Sequence, residues 1–290
     1  MIPSSFDYHA PDTLQDAVAL LKEFGSDAKV LSGGQSLLPL LKLRLGFVTH
    51  LIDIGKIPNL EYIKEEDGFL KIGGATRESE LERSDLIKSR YPIIYDTAIV
   101  IADPLVRNRA TVGGNLAHGD PANDHPATML ALGAQVVVLG PNGERVIPIT
   151  EFFTGIFTTA LAHDEILIEI QVPIPAARSG GAYLKLERKV GDFATAATAV
   201  QLTLSAGGEI EKAGIGLTAA APTLVDASAA AQSLVGKKPD DEVLDAAAAA
   251  AAEATSPSAD RRGSVEYKKA MARVLTGRAL RIAVQRAGVN

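Results

Sequence analysis

The sequence contains no cysteine. Without a thiol group the chain can form no disulfide bond, no thiolate zinc site and no iron–sulfur cluster of its own. We therefore expect any such redox or metal centre to be carried by a partner protein.

Clusters of basic residues and long apolar runs are also absent. The formal net charge is −6, whereas binding to nucleic acid or to an anionic membrane requires clustered Lys and Arg. The longest apolar run, residues 246–252, is polyalanine and is far shorter than the roughly 20 residues that span a bilayer. No basic segment followed by an apolar one opens the sequence, so no signal peptide is predicted. We expect a cytoplasmic protein with no nucleic-acid partner and no transmembrane segment.

The composition is that of a globular protein. The chain has 290 residues, of which 47% are hydrophobic and 22% charged. A chain of this length can divide its core among two or three subdomains.

Local signals predict where helices, strands and domains begin and end. Thr13 and Asp16 have the spacing of a helix start, and Gly25 suits the residue after a helix end. Asn142-Gly143 predicts the tight turn of a hairpin, and the stretch 173–181, with two prolines and a Gly-Gly pair, predicts a domain boundary. The predicted helices are 13–24, 37–45, 93–101, 126–132 and 265–286, and the predicted strands are 29–31, 51–54, 70–73, 136–139, 145–147, 166–172, 183–187, 196–205 and 210–218.

The order of these elements predicts the α+β class, because strands joined by hairpin-length links precede runs of helices. The breaks in the pattern predict a first subdomain over residues 1–57, a second over 58–176 and a C-terminal domain over 177–290.

Two glycine pairs carry hydroxyl or amide side chains on both flanks. They are Ser32-Gly33-Gly34-Gln35-Ser36 and Thr111-Val112-Gly113-Gly114-Asn115. Glycine reaches positive φ and lets backbone N–H groups approach an anion closely. The first pair also follows a predicted strand and precedes a predicted helix, whose N-terminus favours negative charge. We interpret both segments as anion-binding turns that could hold a diphosphate.

A glycine pair alone is an ordinary turn signal. Further pairs at 73–74, 180–181 and 207–208 are interpreted as turns. Neither polar-flanked segment is a P-loop, which requires Gly-Lys-Ser/Thr, or the Gly-x-Gly-x-x-Gly of a Rossmann site. The residues by themselves therefore predict anion binding and no particular ligand.

The stretches around the two segments resemble a known family. Residues 28–39 and 109–124 resemble the flavoprotein, or medium, subunit of molybdenum-containing hydroxylases of the carbon monoxide dehydrogenase type. Residues 183–194 are similar to the segment that opens the C-terminal domain of that family. The flavin domain of xanthine dehydrogenase is related, and the resemblance covers essentially the whole chain.

The resemblance implies a fold and a cofactor. The fold is the PCMH-type FAD-binding fold, in which two N-terminal α/β subdomains hold FAD between them and a C-terminal α+β domain, an antiparallel sheet with helices, closes over the flavin. No residue is implied as catalytic or as a metal ligand. The residues implied to contact FAD are Lys29, Val30, Leu31, Ser32, Gly33, Gly34, Gln35, Ser36, Leu37, Ala102, Thr111, Val112, Gly113, Gly114, Asn115, Asp124, Leu167 and Lys185.

Gln35 departs from a pattern found in the wider flavoprotein superfamily. There a histidine often follows the first Gly-Gly and can attach covalently to the flavin. This chain has Gln35 at that position and no cysteine, so its FAD is expected to be non-covalent. We also expect Gly33→Val with Gly113→Val to abolish FAD retention by placing Cβ atoms in the path of the diphosphate.

The resemblance further implies a division of labour among subunits. A large subunit oxidises the substrate at a molybdenum cofactor, a small subunit carries [2Fe–2S] clusters, and the FAD of this subunit passes the electrons to an external acceptor, a quinone or NAD. The complex is expected to be a dimer of heterotrimers, cytoplasmic or held at the inner face of the membrane through its partners.

Other interpretations stay open. The chain could be a stand-alone FAD oxidoreductase, a flavin-free scaffold subunit, or a metal hydrolase that uses His118 and Asp120. Asp124 is also expected to cap the helix that Pro126 opens. Tyr183 and Phe193 are expected in the core, with stacking on a flavin as the alternative.

Overall fold

The computed structural model describes residues 1–288 and contains three main β-sheets and a short hairpin. The predicted C-terminal domain includes Val289 and Asn290, which lie outside the described residues. The strands are β1 (Asp7–His9), β2 (Ala28–Leu31), β3 (His50–Asp53), β4 (Ile63–Glu66), β5 (Phe69–Gly73), β6 (Gln135–Gly140), β7 (Gly143–Pro148), β8 (Phe153–Gly155), β9 (Thr158–Thr159), β10 (Ile166–Pro173), β11 (Ser179–Leu186), β12 (Ala196–Leu204), β13 (Ile210–Thr218) and β14 (Val225–Asp226). The helices are α1 (Leu14–Phe24), α2 (Leu37–Lys42), α3 (Glu78–Arg83), α4 (Asp85–Arg90), α5 (Pro92–Ala98), α6 (Pro104–Arg107), α7 (Val112–His118), α8 (His125–Leu132), α9 (Ile149–Phe152), α10 (Ser228–Gln232), α11 (Asp241–Glu253) and α12 (Val265–Gly288).

The first sheet is parallel, with the strand order β1-β3-β2. Helix α1 packs against it and begins after Thr13, whose Oγ1 accepts a hydrogen bond of 3.1 Å from the backbone N of Asp16. The helix ends before Gly25, which has φ 56°. The predicted helix over 13–24 is confirmed by both of its end signals. Because β2 ends at Leu31, the first glycine segment leaves the carboxyl end of this sheet.

The second sheet is antiparallel, with the order β4-β5-β10-β6-β7. The predicted hairpin is confirmed as β6 and β7, with residues 141–142 in the turn and Gly143, the first residue of β7, at φ 101°. Helix α7 packs on β5 and β10. This contact brings the second glycine segment, at the start of α7, against the middle of the sheet.

The third sheet is antiparallel, with the order β11-β12-β13-β14, and α12 packs on β11 and β12. Helix α8 packs on β12 and β13, and all eight of its residues are buried. A Cβ on Gly214 or Gly216 of β13 would lie 2.1 Å or 2.3 Å from the carbonyl oxygen of Ala131 or Ala127 of α8. The absence of a side chain at these two positions is therefore what lets the helix lie directly on the strand.

The described residues form three buried clusters, and the cluster on the second sheet also includes residues of the third. Tyr183, Ala197 and Ala199 of the third sheet belong to the same buried cluster as Leu70 and Ile72 of the second. Tyr183 lies in the core as expected, whereas Phe193 is exposed, so its expected core position is wrong. The predicted α+β class is confirmed, and the C-terminal part is the antiparallel sheet with helices that was expected.

The helix predicted over 37–45 ends early, at Lys42. Arg44 has φ 57°, in the left-handed region. The backbone N of Leu45 donates to the carbonyl oxygen of Leu40 at 3.0 Å, a hydrogen bond typical of a helix C-terminus. The large apolar side chains that follow, Leu43, Leu45 and Phe47, are exposed. They have no core to pack against, so the apolar pattern overestimated the helix.

The pair Gly180-Gly181 was interpreted as a turn, and this interpretation is wrong. Both residues belong to β11, and the loop between β10 and β11 is residues 174–178 only. A Cβ on Gly180 would lie 2.2 Å from the carbonyl oxygen of Ala283 in α12. The glycine is required by the close approach of that helix and not by a change of chain direction.

Among residues 1–288, no helix combines the length and the apolar character needed to cross a bilayer.

Candidate functional site

The first glycine segment, Ser32–Ser36, joins the end of β2 to the start of α2. Gly34 has φ 72°, in the left-handed region that glycine favours. Within residues 1–288, none of the five backbone N–H groups from Ser32 to Ser36 donates a hydrogen bond to the protein. The Gln35 side chain turns back and donates from Nε2 to the carbonyl oxygen of Gly33 at 3.2 Å. Consecutive free donors of this kind suit an anion.

The second glycine segment, Thr111–Asn115, forms the N-cap and first turn of α7 and not a loop turn. The four N–H groups from Val112 to Asn115 all donate within the protein, to oxygens of Thr76, Gly74 and Thr111 over 2.9–3.2 Å. These groups are not free for a ligand, contrary to the expectation that they add donors. The implied contact of this segment with FAD stays a prediction, and it would use side chains.

The two segments touch each other. The Oγ atom of Ser32 and the Oγ1 atom of Thr111 are 2.9 Å apart. A Cβ on Gly33 would lie 2.3 Å from the carbonyl oxygen of Arg109. The first segment therefore rests on the chain that leads into the second, and its free N–H groups are held in place by this contact.

The backbone of Leu167 packs closely on Gly74, and Gly74 packs closely on Gly113 of the second segment. A Cβ on Gly74 would lie 2.4 Å from the carbonyl oxygen of Leu167, and a Cβ on Gly113 would lie 2.4 Å from that of Gly74. Gly33→Val with Gly113→Val would thus force protein segments apart. The Cβ atoms of the two valines would point at protein backbone and not into the path of a diphosphate. The reason given above for the loss of FAD is therefore wrong, and a different substitution is needed as the test.

Asn115 offers the free side chain of the second segment. Its Oδ1 atom is buried and has no hydrogen-bond partner within residues 1–288. Its backbone oxygen accepts a hydrogen bond of 2.8 Å from Nδ2 of Asn123. A buried amide oxygen without a partner, in a segment that touches the five free N–H groups, fits a ligand that carries both anionic and hydroxyl groups, as FAD does.

Asp124 follows Asn123 and lies at the N-cap position of α8, but its side chain caps nothing. The expected capping role is therefore wrong. Oδ2 of Asp124 accepts a hydrogen bond of 3.0 Å from Nζ of Lys185, and Oδ1 accepts one from the hydroxyl of Tyr183. Only 8% of the Asp124 side chain and 2% of the Lys185 side chain are exposed. Two residues of β11 thus hold the carboxylate from the C-terminal side of the molecule.

Burial dominates the electrostatics of this group. It raises the pKa of the Asp124 carboxyl, while the positive charge of Lys185 and the Tyr183 hydroxyl act in the opposite direction. Burial and the neighbouring Asp124 raise the pKa of the Tyr183 phenol well above its usual value. The phenol therefore remains a hydrogen-bond donor at physiological pH.

The other implied contact residues lie around the two segments. Ala102 has φ 47°, which is uncommon for a residue with a side chain, and a Cβ on Gly191 would lie 2.4 Å from its carbonyl oxygen. Lys29 is exposed on β2, and Val30, Leu31 and Leu37 are partly buried beside the first segment.

The structure does not assemble a metal site from the histidines and acids of this region. Within residues 1–288, no three His, Cys, Asp or Glu side chains converge on a point that could hold a metal ion. The His118 ring lies 5.1 Å from that of Phe157, and Asp120 Oδ1 accepts from the backbone N of Ala122 at 2.8 Å. Burial lowers the pKa of His118.

Sequence reasoning missed two features of the site. Nε2 of His125 is 2.7 Å from Oε2 of Glu78, and both side chains are fully buried. Gly74, interpreted as part of a turn, is the contact between Leu167 and α7. Neither had a local signal in the sequence.

Comparison with known proteins covers the chain nearly end to end. A family model described as the FAD binding domain in molybdopterin dehydrogenase matches residues 4–175, and one described as the CO dehydrogenase flavoprotein C-terminal domain matches residues 181–283. The carbon monoxide dehydrogenase medium chain of Hydrogenophaga pseudoflava is 47% identical over 98% of both chains, and that of Afipia carboxidovorans is 46% identical over 99% of both. A chain in the structure of the Hydrogenophaga pseudoflava enzyme lacking the Mo-pyranopterin moiety superimposes with a TM-score of 0.96 at 48% identity, covering 99% of each chain.

Proposed function

This chain belongs to the FAD-binding medium subunits of molybdenum hydroxylases of the carbon monoxide dehydrogenase type, and from that premise we propose that it holds FAD non-covalently and works in electron transfer within a larger complex. It is an oxidoreductase subunit. In this proposal the substrate is oxidised on a large molybdenum subunit, and the complex is a dimer of heterotrimers completed by a small iron–sulfur subunit.

The observation that carries the proposal is the row of five free N–H groups from Ser32 to Ser36. In the proposal these groups bind the diphosphate of FAD, and the free Oδ1 atom of Asn115 accepts a hydrogen bond from a hydroxyl group of the cofactor. Gln35 and the absence of cysteine support a flavin that is not covalently attached. The implied contacts of Ala102, Asp124, Leu167 and Lys185 with FAD belong to the same proposal.

The residues of this chain bind and orient the cofactor. The chemistry that bound FAD supplies is electron transfer, from the [2Fe–2S] clusters of the small partner subunit to an external acceptor such as a quinone or NAD. No side chain of this chain is required as an acid, base or nucleophile. The zero cysteine count supports the assignment of the clusters to a partner.

We also propose the domain boundaries 1–57, 58–176 and 177–290. Each of these segments contains one of the three main sheets, and the division after residue 176 falls in the loop between β10 and β11.

The flavin absorbance of the purified protein tests the proposal directly. We expect FAD to be present at about one per chain when the protein is isolated with its co-expressed partner subunits. A colourless complex would overturn the proposal. A flavoprotein that oxidises a substrate without any partner would instead support the stand-alone oxidoreductase.

A single substitution tests the position of the diphosphate. Ser36 is exposed and lies at the N-cap position of α2, where both Asp and Asn are well tolerated. We expect Ser36→Asp to weaken FAD binding by at least about tenfold, because its charge repels the diphosphate at close range. Ser36→Asn, which has the same shape without the charge, is the matched control and should keep FAD. Equal retention by the two folded variants would exclude a diphosphate at this segment.

A further inference from the structure

The carboxylate of Asp124 accepts hydrogen bonds from the C-terminal sheet, although Asp124 lies at the start of helix α8. An Asp at an N-cap position ordinarily accepts a hydrogen bond from the first turn of its helix. Here one oxygen accepts from the Tyr183 hydroxyl and the other from Nζ of Lys185 at 3.0 Å. Helix α8 therefore has no side-chain cap from Asp124. The carboxylate is held instead by hydrogen bonds from the C-terminal half of the molecule.

The same carboxylate lies beside the proposed flavin site. Its neighbour Asn123 donates to the backbone oxygen of Asn115, in the second glycine segment, at 2.8 Å. Nζ of Lys185 also donates to the carbonyl oxygen of Val100 at 3.0 Å, two residues before Ala102. Asp124 is thus connected to the second glycine segment through Asn123, and to the segment that contains Ala102 through Lys185.

We propose that Tyr183 is a positioning residue for FAD, which acts by holding Oδ1 of Asp124 while Lys185 holds Oδ2. The proposal rests on the proposed function, because it takes the flavin to lie between the glycine segments and Asp124. Tyr183 itself makes no contact with the cofactor in this proposal.

The geometry explains how a phenol can act through a carboxylate. Two donors on different oxygens fix the plane of the carboxylate, which otherwise rotates freely about its terminal torsion. Each carboxylate oxygen has two acceptor positions, so one position on each oxygen stays available to a donor of the ligand. Tyr183 is 3% exposed, so water does not readily replace its hydroxyl.

Tyr183→Phe removes the hydroxyl and keeps the ring. We expect the dissociation constant for FAD, measured by equilibrium dialysis of FAD against the full chain or against the complex with its co-purifying subunits, to rise on the order of tenfold. In an Asp124→Ala background the same substitution should change the dissociation constant by less than about twofold, since the partner of the hydroxyl is then absent. An equal effect in both backgrounds would overturn the proposal.

Tyr91→Phe is the matched control. Tyr91 is as deeply buried, and its hydroxyl donates to Oε1 of Glu65 at 2.6 Å, but it belongs to α4–α5 and not to the flavin site. We expect it to lower the melting temperature as Tyr183→Phe does while leaving FAD affinity unchanged. If both variants weaken FAD binding equally, Tyr183 is only a structural residue and the proposal fails.

A second variant covers the case in which Tyr183→Phe does not fold. Tyr183→His keeps a polar ring, but its N–H donor is on a shorter side chain and does not reach Oδ1 of Asp124, so we expect its dissociation constant for FAD to rise on the order of tenfold. A folded Tyr183→His chain that binds FAD as tightly as the unsubstituted chain would overturn the proposal. If the unsubstituted chain and complex bind no FAD at all, the proposed function itself fails, and this result is distinct from all the others.

Discussion

Lys185 carries its charge in a place that water hardly reaches, since only 2% of its side chain is exposed. Its main partner is Asp124 at 3.0 Å, and Glu187 lies at 3.5 Å on the other side. Removing one member of a buried ion pair leaves the other without compensation, at a cost of about 3–5 kcal/mol. The stability of the molecule should therefore depend strongly on this one ammonium group.

Lys185→Met should make stability fall as the pH rises. Burial raises the pKa of Asp124, and Lys185 opposes this effect, so the pKa should rise further without the lysine. A carboxyl with a raised folded-state pKa contributes stability that is present below its unfolded pKa, about 4, and is lost as the pH rises through the folded-state pKa. Tyr183 and His125 also act on this carboxyl, and Glu187 faces Lys185. Melting temperatures measured from pH 5 to pH 9 should fall more steeply for the variant.

Lys64→Met is the control for this prediction. Lys64 pairs with Glu66 at 3.0 Å, and about half of each side chain is exposed, so its loss should cost less than about 1 kcal/mol. If the melting temperatures of the two variants fell equally steeply with pH, the buried pair of Lys185 and Asp124 would not be the cause of the pH dependence.

The residues of the site differ in how far the sequence could predict them. The Ser32–Ser36 donors could be predicted, because the glycines and their flanking hydroxyls are adjacent in the chain. The pairing of Asp124 with Tyr183 could not, because these residues are separated by 59 positions and meet only when the third sheet docks. The same holds for Glu78 and His125, which are 47 positions apart.

At the scale of elements, the contact between α8 and β13 depends on two glycines on one face of the strand. Gly216→Ala would place a Cβ 2.3 Å from the carbonyl oxygen of Ala127, which is backbone and cannot turn aside. We expect a loss of about 2 kcal/mol and a melting temperature about 5 °C lower.

Gly46→Ala is the control for that substitution, because a Cβ there meets no atom within 4 Å. Calorimetry of the two variants compares them directly. An unchanged melting temperature in Gly216→Ala would mean that α8 can move away from β13 without cost.

The elements that the sequence predicted well are those with signals inside their own residues. Helix α1 has its cap residue and its terminal glycine, and the β6–β7 hairpin has its Asn-Gly turn. The end of α2 and the start of β11 were misjudged because tertiary contacts decide them. For α2 the missing core ends the helix, and for β11 the close approach of α12 requires glycine within a strand.

At the scale of the whole molecule, Arg286 near the end of the chain binds both halves. Its guanidinium donates to both carboxylate oxygens of Asp96 in α5, at 2.6 Å and 3.2 Å, and to the carbonyl oxygen of Gly181 in β11 at 2.6 Å. A bidentate pair of this kind is stronger than a single contact. It joins positions 190 residues apart.

Arg286→Met should loosen the docking of the C-terminal domain. We expect trypsin to cleave after Arg178, in the loop between β10 and β11, about tenfold faster, because the local opening that exposes this loop becomes more frequent. Mass spectrometry of the fragments identifies the cleavage site.

Arg281→Met is the control on the same helix. Arg281 pairs with Asp241 and Asp245, both within the C-terminal domain, so its loss should leave cleavage at Arg178 unchanged. Equal acceleration in both variants would show that α12 is merely destabilised and that Arg286 has no special role between the halves.

Helix α8 has no face turned to water, since every one of its residues is buried between the second and third sheets. Its buried surface would become exposed if the chain ended after the second sheet. The first two subdomains are therefore not expected to fold stably without the third sheet or a substitute for it. A gene fusion or a domain exchange that creates a new flavoprotein from this chain must carry the third sheet with it, or must supply another apolar surface for α8.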